Sequence, residues 1–443
     1  MENIDGCVID NVVVQPEEAS QIIKIIGVGG AGCNAVNNMY EKGIAGVNMI
    51  VCNTDAKALE HSPVRHKVQL GKMLTCGLGT GYDPEKGKQS AIEAMADIEA
   101  ILHDNTRMVF VTAGMGKGTG TGAAPVIAKA AKDMGILTVG IVQIPYSREG
   151  KPKLRMAING AIEMSKCVDS LLVVNTDRVI EMYRSEKMPL KTIYKKGDEV
   201  MCDAARSIAE MITKYHFKQI DFADVQRAMT DSGCAVMGVA EASGEGRALR
   251  AVEAALDSPL LNNNDITGAT NILVNITART EEAIGGDEYG EIMEYVYDKA
   301  GGRDNEHNLV VDGAGADETL EEGVLRVIVV ATGFTTDCFD LDRKKADQVV
   351  KIPIGKTIDE VGDKEADGEG ATVIEFTNPD TERTDAIIMD IYGQRSNGGK
   401  HRPVFTTLSL SDATSLPLDR LTEEELANIE KRPAYLRRAT GTN

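Results

Sequence analysis

A glycine-rich stretch in the first third of the chain constrains the fold most. Five of the nine residues at 114–122 are glycine and two are threonine. An apolar, strand-like run at 108–112 precedes this second glycine loop, and a helix-like run at 123–134 follows it. A glycine-rich turn between a strand and a helix exposes backbone N–H groups at a helix N-terminus, where the dipole also favours an anion. The stretch predicts a phosphate-binding loop. A tight turn without a ligand, the alternative, would not need so many glycines.

A loop of the same kind lies upstream, at residues 27–34, and is called the first glycine loop. It follows an apolar run at 22–26 and reads Gly-Val-Gly-Gly-Ala-Gly-Cys-Asn. Alone, this pattern, with Asp55 after the next strand, predicts the dinucleotide site of an oxidoreductase. A dinucleotide fold needs one phosphate loop at its first crossover. Two such loops in one domain instead indicate a nucleotide whose phosphates are held from two sides.

Together these motifs resemble the FtsZ family of tubulin-like cell-division GTPases. Residues 116–122 match the family's signature Gly-Gly-Gly-Thr-Gly-Thr-Gly at every position except Lys117. The first glycine loop, the Asn-Thr-Asp triplet at 53–55 and the Asp-Phe-Ala-Asp-Val sequence at 221–225 also match, in the family's order. Several independent motifs at the right separations make the resemblance specific.

The order of apolar runs predicts an α/β fold with a parallel sheet that helices cover on both faces. Strands are expected at 22–26, 48–52, 108–112, 137–142, 171–174, 269–277 and 325–331. Residues 197–215 read as one long helix because apolar side chains recur at helical spacing. The resemblance implies a tubulin-like GTPase domain, a long central helix, a second, smaller α/β domain, and a disordered C-terminal linker and peptide.

The expected domain organisation follows the same resemblance. The segments are a flexible N-terminal tail (1–20), a GTP-binding domain (21–190), the central helix (191–217), a C-terminal activation domain (218–334), a linker (335–425) and a partner-binding peptide (426–443). The linker is polar and charged, which favours disorder. Short strands remain an alternative within it at 349–353, 371–376 and 386–391.

Composition excludes several functions. A net charge of −20 argues against nonspecific nucleic-acid binding. The eight cysteines form no Cys-x-x-Cys pair, so we expect neither a zinc site nor a disulfide framework, and a reducing cytoplasm fits best. No apolar run approaches the roughly 18 residues that span a bilayer. We therefore expect a cytoplasmic protein without a membrane span.

The resemblance implies that GTP lies between the two glycine loops. The residues it assigns to GTP there are Gly29, Gly30, Ala31, Gly32, Cys33, Asn34, Gly116, Lys117, Gly118, Thr119, Gly120, Thr121 and Gly122. Asn53 and Asp55, at the end of the second strand, are implied near the terminal phosphate and its Mg²⁺. A helix cap before Ala56 is an equally good interpretation of this triplet, and the two roles can coexist.

Ribose and base contacts are implied further along the chain. By the family's pattern Glu149 contacts the ribose, with Lys153 as the basic residue that follows it. Asp177 is expected to select guanine, because its carboxylate can accept hydrogen bonds from guanine N1–H and N2–H₂, which adenine cannot donate. Thr176 stands where the family usually has Asn. The alternative for Asp177 is a simple helix cap.

Catalysis is assigned to an acidic loop, residues 219–224. Asp221 and Asp224 are three positions apart and face the same side of a helical turn. In the family this loop reaches the nucleotide of the next subunit, where the carboxylates polarise the attacking water that converts GTP to GDP and phosphate. Gln219 stands where the family usually has Asn. The alternative is an N-cap pair for a helix at 225–229.

Lys117, Thr176 and Gln219 depart from the family's pattern. If residue 117 needs a positive φ, a lysine there is strained by on the order of 1 kcal/mol. Its ammonium could instead contact a phosphate or solvent. A second functional interpretation follows from these departures: a nucleotide-binding filament or scaffold paralogue with weak hydrolysis.

The end of the chain resembles the family's C-terminal peptide at residues 432–438. The residues expected to bind a partner are Pro433, Tyr435, Leu436, Arg437 and Arg438. A short apolar and basic anchor suits a partner groove, and a frayed basic terminus is the alternative. The family implies a head-to-tail filament of this chain itself, at the division site on the inner face of the membrane. It also implies a membrane adaptor such as the actin-like FtsA.

Overall fold

Ten strands form one sheet in the computed structural model. The structure describes residues 22–44, 46–103, 105–182, 190–214, 216–257, 266, 268–302, 308–334, 384 and 388. The strands are β1 (Ile23–Val28), β2 (Val47–Asn53), β3 (His66–Gln69), β4 (Met108–Gly114), β5 (Leu137–Ile144), β6 (Ser170–Asn175), β7 (Gly233–Ser243), β8 (Asn271–Ala278), β9 (Leu309–Ala316) and β10 (Val324–Thr332). Their order across the sheet is β3-β2-β1-β4-β5-β6-β7-β10-β8-β9.

The relative direction of neighbouring strands changes across the sheet. All neighbours from β3 to β7 are parallel, β10 runs antiparallel to both β7 and β8, and β8 pairs parallel with β9. Parallel neighbours need crossover connections, which the helices provide. A short pairing of Ser170–Leu172 with Gly233–Ala235 joins the two halves of the sheet.

Twelve α-helices provide the connections within the described residues. They are α1 (Gly29–Lys42), α2 (Ala56–Glu60), α3 (Lys72–Thr75), α4 (Pro84–Glu93), α5 (Met95–His103), α6 (Gly118–Asp133), α7 (Lys151–Ser165), α8 (Thr176–Met182), α9 (Leu190–Thr213), α10 (Phe222–Met229), α11 (Arg247–Leu256) and α12 (Gly286–Lys299). Short 3₁₀ turns occupy Ser147–Glu149 and Glu281–Ala283.

Both faces of the first half of the sheet are covered. Successive residues of a strand point to opposite faces, and β1 shows the result. Ile25 packs in a cluster with α1 and α9, whereas Ile26 packs in a cluster with α6 and α7. A third cluster fills the second half between the sheet and helices α11 and α12. The predicted α/β class, with helices on both faces and a second α/β half, is confirmed.

Three strands were not expected from the sequence. β3 is a short, polar edge strand, and β7 and β9 are rich in alanine and glycine, which have low strand propensity. The long helix begins at Leu190 rather than at residue 197, and Gly197 lies inside it against the Gln143 side chain. There a Cβ would lie 2.3 Å from Gln143 Nε2, so packing explains this glycine.

Two further expectations are corrected. Residues 386–391 were offered as a strand, but Ile388 is helical and buried in the cluster that includes α7, and the hydroxyl of Thr384 donates to Asn159 Oδ1 at 2.8 Å. Cys234 is disulfide-bonded, against the expectation from cysteine spacing. The candidate strands at 349–353 and 371–376 and the N-terminal tail lie outside the described residues.

Candidate nucleotide and catalytic sites

The two glycine loops lie at adjacent positions on the sheet. The first follows β1 and the second follows β4, and these strands are parallel neighbours. The connection from β1 runs to β2 on one side, while β4 continues to β5 on the other. Ligands of open α/β sheets bind outside the carboxyl ends of the strands where the strand order reverses. Both predicted phosphate loops therefore border one crevice.

Direct contact between the loops shows how closely they are packed. Gly29 has φ +71°, and a Cβ on it would lie 2.8 Å from the backbone nitrogen of Gly120. A Cβ on Gly114 would lie 2.6 Å from the Cβ of Ala31. By contrast, a Cβ on Gly30 would find no described atom within 4 Å. The glycines serve close packing between the loops, and Gly30 faces open space.

Two helices begin at this point. α1 begins at Gly29 and α6 begins at Gly118, and in the described structure neither N-cap residue, Val28 or Lys117, accepts a side-chain hydrogen bond from its helix. The first N–H groups of a helix have no partner within the helix. Two uncapped helix N-termini in one crevice offer unpartnered N–H groups and a favourable dipole to an anion.

Lys117 is not strained. Its φ is −124° and ψ is −177°, an extended conformation that any residue adopts. The positive φ belongs to Gly116, at +89°, where a Cβ would lie 2.9 Å from the Lys153 carbonyl oxygen. The condition for strain at residue 117, a positive φ, is therefore not met, because the residue before it takes the left-handed conformation. The Lys117 side chain is exposed.

Threonine hydroxyls link the loops. The hydroxyl of Thr119 lies 2.9 Å from that of Thr54 and 3.5 Å from that of Thr80. Thr121 Oγ1 accepts from the Gly116 N–H at 3.0 Å, so this donor is used inside the loop. Thr54 and Thr80 were not among the candidate residues. The signals in the sequence were the Asn-Thr-Asp triplet that contains Thr54 and the two glycines that flank Thr80.

Asn53 and Asp55 act as local caps at the end of β2. Asp55 Oδ1 accepts from the backbone N–H groups of Lys57 at 3.0 Å and Ala58 at 3.2 Å, while Asn53 Oδ1 accepts from Asp55 N at 3.3 Å. Thr54, between them, touches the second glycine loop. The cap is present, and it also keeps both side chains beside the crevice.

Cys33 and Asn34 complete the first glycine loop. The Cys33 thiol is buried and donates weakly to the Gly27 and Cys52 carbonyls, each at 3.5 Å. Burial raises the pKa of Cys33 to about 12, so the thiol is neutral. Asn34, in the first turns of α1, is exposed. Cys33 is therefore a neutral group that packs in the core behind the first glycine loop.

The ends of β5 and β6 hold the residues expected near ribose and base. Glu149 pairs with Lys153 and accepts from Tyr146 N. The Thr176 hydroxyl donates to the Ile144 carbonyl at 2.6 Å, so it is used within the fold. Asp177 is 1% exposed, and its Oδ1 accepts from Ser147 N at 3.3 Å. The carboxyl ends of these two strands thus bring Glu149, Lys153 and Asp177 to the edge that carries the glycine loops.

Helix α9 adds a residue that sequence reasoning missed. Asp198 follows Gly197, which packs against Gln143 near the end of β5. Burial, with a smaller contribution from the charge of Glu199, raises the pKa of Asp198 to about 7. Perturbed carboxyl groups are enriched at functional sites. The acidic pair at 198–199 inside an amphipathic helix was the available signal.

The acidic loop lies at the opposite edge of the sheet. β6 and β7 are parallel and begin level with each other, since Ser170 pairs with Gly233. The connection between them contains α9, whose 24 residues span about 36 Å at 1.5 Å per residue. α9 starts after the carboxyl end of β6 and returns the chain to the amino end of β7. Residues 219–224 follow α9, so they face away from the glycine loops.

Asp221 and Asp224 form a reciprocal cap. Asp221 Oδ1 accepts from Asp224 N at 2.9 Å, and Asp224 Oδ2 accepts from Asp221 N at 3.2 Å. Asp221 and Gln219 are exposed, and Asp224 is half-buried. The N-cap interpretation is therefore realised, and it presents both carboxylates at the surface in a fixed orientation.

Large apolar side chains are exposed at both edges. Met73 is 84% and Leu78 70% exposed. They belong to a segment whose Gly77 carbonyl accepts from Ala56 N at 3.1 Å, at the edge of the sheet that carries the glycine loops, which we call the nucleotide edge. Phe217, next to the acidic loop, is 55% exposed. Exposed apolar groups of this size mark interaction surfaces. The predicted partner-binding residues Pro433, Tyr435, Leu436, Arg437 and Arg438 lie outside the described residues.

Comparison with known proteins agrees with the geometry. A family model described as Tubulin/FtsZ family, GTPase domain, matches residues 22–184, and one described as FtsZ family, C-terminal domain, matches residues 233–335. The cell division protein FtsZ of Porphyromonas gingivalis is 41% identical over 422 residues, which covers 94% of this chain and 85% of that protein. That of Buchnera aphidicola is 43% identical over 321 residues, covering 72% and 81%.

Solved structures place the fold in the same class. The empty FtsZ dimer of M. jannaschii matches with a TM-score of 0.65 at 37% identity, covering 72% of this chain and 90% of that one. Sheet order, paired glycine loops and central helix define a tubulin-like nucleotide-binding protein. The chain belongs to the Tubulin/FtsZ family, and the resemblance seen in the sequence is confirmed.

Two absences among the described residues bear on metals and membranes. His, Cys, Asp and Glu side chains do not gather there in groups of three or more that could hold a metal ion. None of the helices in the described part of the chain combines the length and apolarity that crossing a bilayer requires.

Proposed function

We propose that this chain is a GTPase of the bacterial division ring that assembles head to tail and hydrolyses GTP at a site completed by the next subunit. One observation carries the proposal: the glycine loops and the acidic loop lie at opposite edges of one sheet. A single subunit cannot bring them together, because most of the length of α9, about 36 Å in all, lies between them. Stacking one copy on the next places the acidic loop of one on the nucleotide of the other.

Binding of GTP falls to residues at the nucleotide edge. The uncapped N-termini of α1 and α6 bind the phosphates from two sides. Glu149 and Lys153 lie on the ribose side, and Asp177 accepts hydrogen bonds from guanine. The buried position of Asp177 supports this role, because a carboxylate in a closed site discriminates strongly against a base that cannot donate to it.

Mg²⁺ fits this site as a metal held mainly by the nucleotide. Mg²⁺ commonly binds one or two protein carboxylates together with substrate phosphates and waters. Asp55 is the carboxylate at the crevice, and within the described chain a three-ligand protein cluster is absent. Asn53 and Asp55 would hold the ion and its waters, and the ion would neutralise charge that develops on the phosphates.

Hydrolysis requires positioning more than covalent chemistry. Asp221 and Asp224 of one subunit orient and polarise a water against the terminal phosphate in the next subunit, and Gln219 supplies a donor and an acceptor beside them. Their reciprocal cap supports this role, since it holds both carboxylates in place before the neighbour arrives.

The test is phosphate release at increasing protein concentration, with sedimented polymer measured in parallel. Activity per molecule should be low when the protein is dilute and rise above a threshold that coincides with assembly. Equal activity per molecule at all concentrations would contradict a shared site.

A mixture of Asp224→Asn subunits with subunits that cannot bind GTP should be more active than either alone, because each supplies the half that the other lacks.

Neither alternative gains support. A weakly hydrolysing scaffold was suggested by the departures at Lys117, Thr176 and Gln219, and of these Lys117 leaves the backbone unstrained. A dinucleotide oxidoreductase is excluded by family membership.

We also propose that the C-terminal peptide tethers the filament to the inner face of the cytoplasmic membrane through an adaptor such as FtsA. Its apolar pair, Tyr435 and Leu436, with Arg437 and Arg438 beside it, suits a groove that also carries negative charge. Deleting residues 427–443 should leave GTP binding and assembly intact and abolish co-sedimentation with adaptor-coated vesicles. Full co-sedimentation of the truncated protein would move the adaptor contact elsewhere.

A further inference from the structure

The residue that precedes the acidic loop is held by the backbone of β9. Lys218 forms an antiparallel bridge with Ala314: its N–H donates to the Ala314 carbonyl at 3.1 Å, and its carbonyl accepts from Ala314 N at 2.9 Å. Gly313, beside the bridge, leaves room for Ile220, because a Cβ there would lie 2.9 Å from Ile220 Cγ1. The bridge to Ala314 and the packing of Ile220 on Gly313 therefore fix the register of this segment along β9.

A cluster of three polar side chains also holds the Lys218 side chain in place. Its Nζ donates to the Tyr289 hydroxyl at 2.6 Å and to Asp312 Oδ2, and the Tyr289 hydroxyl donates to the same Asp312 oxygen. The Asp312 side chain is only 14% exposed, whereas that of Lys218 is 45% exposed. Burial opposes the charge of Lys218, but the bonds from Asp312 and Tyr289 outweigh it and raise the pKa of Lys218.

The members of this cluster come from three different elements. Asp312 lies on β9, Tyr289 on α12, and Lys218 between α9 and the acidic loop. Hydrogen bonds to an ionised group are about twice as strong as neutral ones. A buried carboxylate that has lost its cation is unfavourable, so the cluster favours one position of Lys218 over its neighbours on β9.

We propose that Lys218, Asp312 and Tyr289 form a positioning cluster that sets the register of the acidic loop for hydrolysis in the next subunit. Gln219 follows Lys218 directly and Asp221 lies two positions beyond Gln219, so a shift of Lys218 along β9 displaces both. The cluster touches no reacting atom and acts only through the loop. The inference rests on the proposed function, because it is the shared site that makes the register of this loop matter for hydrolysis.

Lys218→Met tests the cluster, since methionine keeps a long unbranched side chain and loses both hydrogen bonds. GTP affinity of the dilute protein, sedimented polymer mass, and phosphate release per sedimented subunit are measured separately. We expect phosphate release per sedimented subunit to fall by about tenfold, since a displacement of about 1 Å can reduce a rate by 100-fold. GTP affinity should not change. Lys218→Arg should recover most of the rate, because arginine still donates to Asp312.

A milder variant keeps the test valid if Lys218→Met fails to fold. Tyr289→Phe removes one hydroxyl and should lower phosphate release per sedimented subunit by a smaller factor, again at constant GTP affinity. Lys166→Met is the matched control: it removes an exposed pair with Glu163 (2.7 Å) at the end of α7 and should change none of the three quantities.

Three outcomes would overturn the inference. The first is a normal rate per sedimented subunit in both cluster variants. The second is a loss of GTP affinity that accounts for the lost rate, and the third is no recovery with Lys218→Arg, because either of these indicates a general structural role. Measuring Asp224→Asn alongside distinguishes failure of the proposed function from failure of the cluster proposal. If Asp224→Asn hydrolyses normally, the proposed function fails. If it is slow while Lys218→Met is normal, only the cluster proposal fails.

Discussion

The nucleotide edge and the acidic loop satisfy their polar groups in opposite ways. At the nucleotide edge, α1 and α6 begin without a side-chain cap from Val28 or Lys117. At the acidic loop, α10 is capped by Asp221, and Asp224 returns the hydrogen bond. An uncapped helix N-terminus needs an anion or water, whereas a capped one is complete. The first region is therefore built for a ligand, and the second presents fixed charges to a surface that another molecule provides.

The two regions also differ in how tightly they are packed. Gly29 leaves no room for a Cβ because the second glycine loop lies against it. The acidic loop is exposed at Gln219 and Asp221, and it is attached through the bridge to β9, the Lys218 cluster and the buried side chain of Ile220. We conclude that substitutions at the nucleotide edge should affect binding, and substitutions at the acidic loop should affect hydrolysis alone.

The largest expected effect comes from removing the charges of the acidic loop, which tests whether hydrolysis can be lost without loss of GTP binding. Asp221→Asn and Asp224→Asn keep an oxygen that can cap α10, because Asn caps as well as Asp. Only the charge is lost, so the helix should remain intact. We expect hydrolysis to fall by about 100-fold or more, the usual contribution of a positioned acid or base, with GTP affinity unchanged. Phosphate release and equilibrium binding on the same preparations measure both. Loss of GTP binding together with hydrolysis would contradict the conclusion that the acidic loop affects hydrolysis alone.

The second largest expected effect is on guanine selection at the nucleotide edge. Asp177→Ala removes the buried carboxylate, and loss of hydrogen bonds to a charged partner is worth about 1.5–3 kcal/mol, or roughly a 10- to 150-fold loss of GTP affinity. In the unmodified protein, ATP should compete far less well than GTP. Asp97→Ala, an exposed aspartate on α5, is the control. Equal competition by ATP and GTP would show that Asp177 serves the fold, through its bond from Ser147 N, and not the base.

Much of the fold could be read from the sequence, because apolar runs of strand length and glycine-rich turns depend on local patterns. β1, β4 and β5 were located this way. β7 and β9 were not, because their alanines and glycines are selected by packing across the fold, as Gly313 is by Ile220. The family motifs identified the acidic loop. Its attachment through Lys218 and Asp312 joins residues far apart in the chain, and no single-sequence pattern marks such a pair.

Within the nucleotide edge, two neighbouring glycines should behave differently. Gly29→Ala places a methyl group 2.8 Å from Gly120 N at a φ of +71°, and the left-handed conformation alone costs roughly 1–2 kcal/mol. We expect GTP affinity to fall by about tenfold as the loops move apart. Gly30→Ala meets open space among the described residues and should change affinity little. Equal tolerance of the two substitutions would mean that the loops are not in contact when GTP binds.

The smallest effect concerns Lys117, which sits in the tightly packed region yet is exposed. Its backbone is extended, so Lys117→Gly relieves no strain and only adds freedom to the unfolded chain. We expect the free energy of unfolding to fall by about 0.5–1 kcal/mol. GTP affinity should change by less than about twofold at both low and high salt, because exposed charges contribute little. Lys117→Gln, which keeps the Cβ, should retain full stability. A large, salt-dependent loss of affinity in both variants would show instead that the ammonium contacts a phosphate, and that this edge binds its ligand with a side-chain charge as well as with helix N-termini.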